Sequence, residues 1–280
     1  MSDFFLFGLD FIRNALVAGL LASIACGVIG SYVVVKRMVS VSVGISHASF
    51  CGIGLGYLAG FDPLLGAMGF TVAAALVMGV LGQRVKQQMD TLICVVWAVG
   101  MSLGILFIAL APGYTPDLFS FLFGNILLVP TGDLVLTGIL AVAIVVIVVI
   151  LYYPLLAVSF DQEYAAVMNL PVMALELLLL SMVALSVVML IRVVGIILVI
   201  ALLTLPAAIS REFSAGLSRM MAGAVVVGIL FTFGSIWLSY ILDAPSGATI
   251  ILLAAAGYGV VLIWKYLRNR GTTKDTGSMG

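Results

Sequence analysis

The stretch LVLTGILAVAIVVIVVILYY, residues 134–153, constrains the fold more than any other feature. Its twenty residues carry no charge, and about 20 apolar residues in helical form match the hydrocarbon thickness of a bilayer. Eight further apolar runs recur along the chain, so that nine are expected in all, near 11–35, 41–60, 64–82, 91–111, 132–152, 173–191, 194–210, 217–241 and 247–266. A backbone inside lipid must satisfy its own hydrogen bonds, which leaves helices or a closed barrel. Barrel strands would read as short segments of alternating polarity, and these runs are long and continuous, so helices are expected. The expected fold class is therefore all-α, a polytopic membrane helical bundle of about nine transmembrane segments. Charged residues make up 9% of the chain, against roughly 25% in a soluble domain.

The segment APGYTPDLFSFLFGNILLVPTGD, between the fourth and fifth runs, is mixed in polarity and broken by Pro112, Pro116, Gly124 and Pro130. A re-entrant or half-helix hairpin fits it better than a span. No long linker divides the chain, so residues 1–270 are expected to form one transmembrane domain, and the polar tail 271–280 to be disordered. The start, MSDFFLFGLDF, lacks a basic region and a small-residue cleavage site and reads as mature chain. Cys26, Cys51 and Cys94 all lie in or beside apolar runs, which argues against a disulfide framework. The formal net charge is zero and gives no basis for nucleic-acid binding.

Basic residues set the expected orientation. With the end of the first span inside, Lys36, Arg37, Arg84, Lys86, Arg211, Arg219, Lys265, Arg268, Arg270 and Lys274 all face the cytoplasm, and only Arg13 and Arg192 fall near the other side. The N-terminus is then outside and the C-terminus inside a cell's inner or plasma membrane. Small residues recur every fourth position at Ala15, Gly19, Ser23, Gly27 and Ser31, and again at Gly44, Ala48, Gly52, Gly56 and Gly60, with Gly100 and Gly104 as a shorter case. Such rows let helices approach closely. Glycine is also common in membrane helices generally.

On the expected cytoplasmic side, SFDQEYAAVMNLPV (159–172) reads as a short helix over about 161–168. Ser159 or Asp161 can cap its start, and Ser159 with Gln162 fits a capping box. Asn169 suits the left-handed position past the end, and Pro171 stops the helix. Asp161 and Glu163 stand where the helix dipole favours acid. The segment is either a plain capped connection or a docking knob for a cytoplasmic partner.

Here the chain resembles a known family. Asp161, Glu163, Ala165, Leu170, Pro171 and Val172 form a pattern D-x-E-x-A-x-x-x-x-L-P-V. It is similar to the coupling segment in the permease subunits of zinc, manganese and iron ATP-binding-cassette (ABC) importers. The stretches 32–60, 194–214 and 240–255 resemble the same family in the same order. The resemblance implies a fold related to cobalamin and iron-chelate permeases. It also implies a pair of permease copies, most simply a homodimer, and a solute-binding protein outside. Cytoplasmic ATPases would dock on the segment containing Asp161, Gln162, Glu163, Ala165, Asn169, Leu170 and Pro171. None of Lys36, Lys86, Lys265 and Lys274 follows G-x-x-x-x-G, so if ATP drives this chain, as the resemblance implies, another subunit must hydrolyse it, and this chain is not expected to be an enzyme. No permanent cofactor is expected; a divalent metal would be cargo.

His47 is the only histidine. Six residues into the second run, it lies about 9 Å deep at 1.5 Å per residue. An ionisable group at that depth should face the bundle interior or a wet cavity, and neutral imidazole binds zinc, manganese or iron. The family's motif has an Asp four residues earlier, where this chain has Val43. Cys51, one turn later, is a candidate partner that would favour softer ions. The plainer readings are a buried filler thiol and a histidine hydrogen-bonded between helices, to Ser46, Ser49 or a serine of another span. Asp62, Asp117 and Asp243 fall on the expected delivery side, where they either attract a cation or cap helices. Glu176 and Arg192 flank the sixth span as interfacial charges. The 13 methionines show no ladder and read as core filler.

Two cargo classes remain open: a free divalent ion, or a chelate or organic solute. A proton-coupled carrier is weakly supported, because the spans carry no deep carboxylates. An intramembrane metalloprotease of the H-E-x-x-H type is excluded by the single histidine.

Overall fold

In the computed structural model, residues 10–84, 89–112, 124, 126 and 129–275 are described. Among them the helices are α1 (Asp10–Val35), α2 (Val39–Ala59), α3 (Pro63–Arg84), α4 (Met89–Leu110), α5 (Thr131–Ile150), α6 (Tyr152–Phe160), α7 (Gln162–Val167), α8 (Val172–Val194), α9 (Ile196–Phe213), α10 (Leu217–Leu242) and α11 (Ser246–Asp275). All but α6 and α7 are long and apolar enough to cross a membrane, nine among the described residues, and there is no strand among them. The chain is a polytopic helical bundle. The expected hairpin falls largely outside the described residues, as do Asp117 and Lys86. Helix α11 runs to Asp275, past the boundary at 270 suggested by composition.

α1, α2 and α8 are the most buried spans. α1 packs chiefly on α10, and α2 is clasped between α3 and α4. Small residues make these crossings possible. A Cβ on Gly104 would lie 2.5 Å from the carbonyl carbon and oxygen of Phe50, so α4 meets the α2 backbone directly there. Gly52 of α2 meets Gly66 of α3 in the same way. The row in α2 therefore serves two neighbours. Gly44 and Ala48 face α4, Gly52 and Gly56 face α3, and Gly60 closes the helix with φ +74°. The row in α1 faces α10: Gly19 and Ser23 meet Thr232, and Gly27 meets Val225. Lipid tails are as apolar as side chains, so such close backbone packing supplies association that burial alone does not.

The ends of α1, α3, α9 and α11 and the starts of α2, α4, α8 and α10 meet at one face, together with α6 and α7. Contacts among Lys36, Gln83, Gln162 and Glu176 join part of this face. The 2.6 Å pair of Lys265 with Glu212 joins another part. Lys36, Arg37, Arg84, Arg211, Arg219, Lys265 and Arg268 all belong to segments at this face, and Arg13 and Arg192 to the opposite ends of their helices. Gly195, with φ +78°, makes the break between α8 and α9 in one residue.

Candidate functional site

The short helix α7 projects from the basic face between α6 and α8. Asp161 is its N-cap: the backbone there is extended, and Oδ1 accepts from the Tyr164 amide at 2.9 Å. The capping box with Ser159 does not form. Ser159 sits inside α6, where its hydroxyl donates to the Leu155 carbonyl at 2.6 Å. The C-terminal end closes as a Schellman motif. Asn169 takes φ +55°, its amide donates to the Ala166 carbonyl at 3.0 Å, and the Leu170 amide donates to Ala165 at 3.1 Å. This satisfies carbonyls that the last turn leaves without partners. Pro171 then precedes α8.

Ala165 is the buried residue of α7, while Glu163, Tyr164 and Met168 are exposed and Val167 is 80% exposed. A six-residue helix is too short to be stable alone in water. Here two caps and a buried alanine support it, and its outer face is open.

Glu176, expected from the sequence to be an interfacial charge, is the centre of a polar cluster beside α7. Glu176, in the first turns of α8, accepts from Lys36 Nζ at 2.9 Å and from Gln162 Nε2 through Oε1, and from Gln83 Nε2 at 2.8 Å through Oε2. Lys36 also donates to the Val158 carbonyl of α6 at 3.4 Å. The two charged side chains are only 8% and 19% exposed. The cluster borders a cavity of about 300 Å³ walled by Met38, Met78, Met89 and Leu180. The only sequence signal was a glutamate placed one turn inside an apolar span. The side chain of Arg192 is outside those described.

His47 points at α4. Its ring stacks on Trp97, with centroids 4.7 Å apart and planes 15° from parallel. Nδ1 is buried without a hydrogen-bond partner. The serine-bonded arrangement is not formed at that atom: Ser46 donates to Ser42 O at 2.7 Å and Ser49 to Ser46 O at 2.5 Å, both within α2. Cys51 is buried, at 2% exposure. Among the described residues no three His, Cys, Asp or Glu side chains gather as a metal cluster. Trp97 was not singled out from the sequence, since one aromatic in an apolar run carries no signal.

The outer aspartates separate. Asp62 caps α3 through a 2.8 Å bond from the Leu64 amide, with Pro63 at the first helical position. Asp243 does not cap the next helix. It closes α10 in the left-handed conformation, with φ +48° and ψ +43°, and α11 begins only at Ser246.

The ABC 3 transport family model matches residues 8–265. The chain belongs to this family. Among members, a probable metal transport system membrane protein of Chlamydia pneumoniae is 40% identical over 91% of this chain and 89% of its own. The manganese transport system membrane protein MntC of Listeria monocytogenes is 34% identical over 91% of each. The solved structure of PsaBC from Streptococcus pneumoniae in complex with Fab matches with a TM-score of 0.83 at 30% identity, over 93% of this chain and 95% of that one. The matched range takes in α7, Glu176, His47 and Trp97, so the whole candidate site lies inside the family region.

Proposed function

We propose that this chain is the membrane permease of an ABC importer for divalent metal ions, moving zinc, manganese or iron by alternating access driven by a separate ATPase. The observation that carries the reading is α7, a helix capped at both ends whose apolar and acidic outer face stands open at the basic end of the bundle. A partner ATPase docks there on Glu163, Tyr164, Val167 and Met168. The permease works as a homodimer, as one domain over residues 1–270, and receives cargo from a solute-binding protein. The basic face is cytoplasmic by the positive-inside rule, which leaves the N-terminus outside.

The relatives named for metal and manganese transport support a metal cargo. His47 supports it chemically. Its Nδ1 has no partner, and the Trp97 ring fixes the imidazole plane. One imidazole per copy, with no three-ligand cluster among the described residues, suits an ion that must leave again. Asp117 and Asp243 are retained as delivery-side residues of the pathway, and Cys51 as a second soft donor near His47. A chelate or organic cargo is the competing outcome, favoured by Val43 where the family motif has an acid.

Glu163→Lys tests the docking role. ATP-driven transport should be lost while the thermal unfolding of the spans stays as in the wild type. Normal transport by that variant removes α7 as the docking point.

A further inference from the structure

Resting on the docking role of α7, we propose that Glu176 is the positioning residue that links this helix to the moving ends of α1 and α3. A docking helix transmits nothing unless its displacement is carried into the spans. Covalently, α7 continues only into α6 and α8. α1 and α3 are remote in sequence and pack on α8, and among the described hydrogen bonds their ends are joined to α7 through one carboxylate. Glu176 Oε1 receives Gln162 of α7 and Lys36 from the end of α1, and Oε2 receives Gln83 from the end of α3. Lys36 extends the link to the last turns of α6 through the Val158 carbonyl.

The chemistry suits transmission. Hydrogen bonds between ionised partners are roughly twice as strong as neutral ones, and low exposure limits screening by salt. Pulling Gln162 away from Glu176 leaves the carboxylate to follow or to lose a donor. The adjoining cavity and its three methionines, Met38, Met78 and Met89, give the cluster room to move as a unit. A static staple would use the same bonds, so the test must read coupling as well as stability.

The experiment uses the full permease with its ATPase in nanodiscs. Hydrogen exchange is followed with and without a non-hydrolysable ATP analogue in wild type, Glu176→Gln, Gln162→Ala and the swap Lys36→Glu/Glu176→Lys. In the wild type, nucleotide should change exchange at α7 and also at 30–38 and 78–84. In Glu176→Gln and Gln162→Ala the change should stop at α7, and in proteoliposomes that also hold the solute-binding protein, Mn²⁺ uptake per ATP hydrolysed should fall at least tenfold in Glu176→Gln. The swap should recover part of both, because glutamine amides can turn to accept from lysine, while the bond to the Val158 carbonyl stays lost, since a glutamate cannot donate to it. Gln162 is exposed, so its truncation leaves the fold intact. Changes reaching 30–38 and 78–84 undiminished in either single variant overturn the proposal, as does a wild-type response confined to α7. An ATPase that never binds α7 overturns the docking role, and this inference with it.

Discussion

Gly104→Ala tests the helix packing that fixes His47 against Trp97. A methyl on Gly104 would lie 2.5 Å from both the carbonyl carbon and oxygen of Phe50 and 2.8 Å from its Cβ. Ordinary contact begins near 3.4 Å, so α4 must retreat from α2 by about 1 Å. Overpacking of this kind costs about 1–3 kcal/mol, offset by at most about 1 kcal/mol from the better helix propensity of alanine. At about 2–4 °C per kcal/mol for domains near this size, the melting temperature in detergent should fall by roughly 5 °C. Gly69→Ala is the control: nothing lies within 4 Å of a Cβ there, and the variant should melt at or above the wild-type temperature. Because α4 also carries Trp97, Gly104→Ala should shift the ring from the imidazole, seen as altered tryptophan fluorescence that no longer responds to His47→Ala. Equal melting temperatures for the two glycine variants would refute the close crossing of α2 and α4.

Asp161→Ala removes the bond to the Tyr164 amide and should destabilise α7 by about 1 kcal/mol, seen as faster proteolysis within 159–172 and weaker ATPase binding, whereas Asp161→Asn should keep both. Asp62→Ala should cost a similar amount in melting, but Asp62→Asn, which retains the cap and not the charge, should leave both stability and uptake unchanged. A loss of uptake in Asp62→Asn would instead make Asp62 an ion-attracting residue.

The spans were legible because each is a continuous apolar run, and only helices bring such runs through lipid. The ends of α7 were legible for a local reason. Asp161 and Asn169 act on the backbone within a few residues of themselves, so type and spacing carry the signal. The Ser159 box failed on the same scale, because the hydroxyl found the Leu155 carbonyl inside α6 first. Glu176 was not legible as a hub. Lys36 and Gln83 lie 140 and 93 residues away in sequence, and their meeting depends on how α1, α3 and α8 pack. Trp97 was hidden likewise, since its stacking on His47 follows from Gly100 and Gly104 drawing α4 onto α2. The rows of small residues announced close packing without naming partners, and the α2 row proved to serve α3 and α4 at once.

The most direct measurement is metal uptake by proteoliposomes holding this permease, its ATPase and its solute-binding protein, supplied in turn with Zn²⁺, Mn²⁺ and Fe²⁺. ATP-dependent accumulation of one of these ions, abolished in His47→Ala at normal expression and ATPase assembly, is the predicted result. Accumulation of none of them by a complex that hydrolyses ATP would contradict the account and turn the cargo to a chelate or an organic solute.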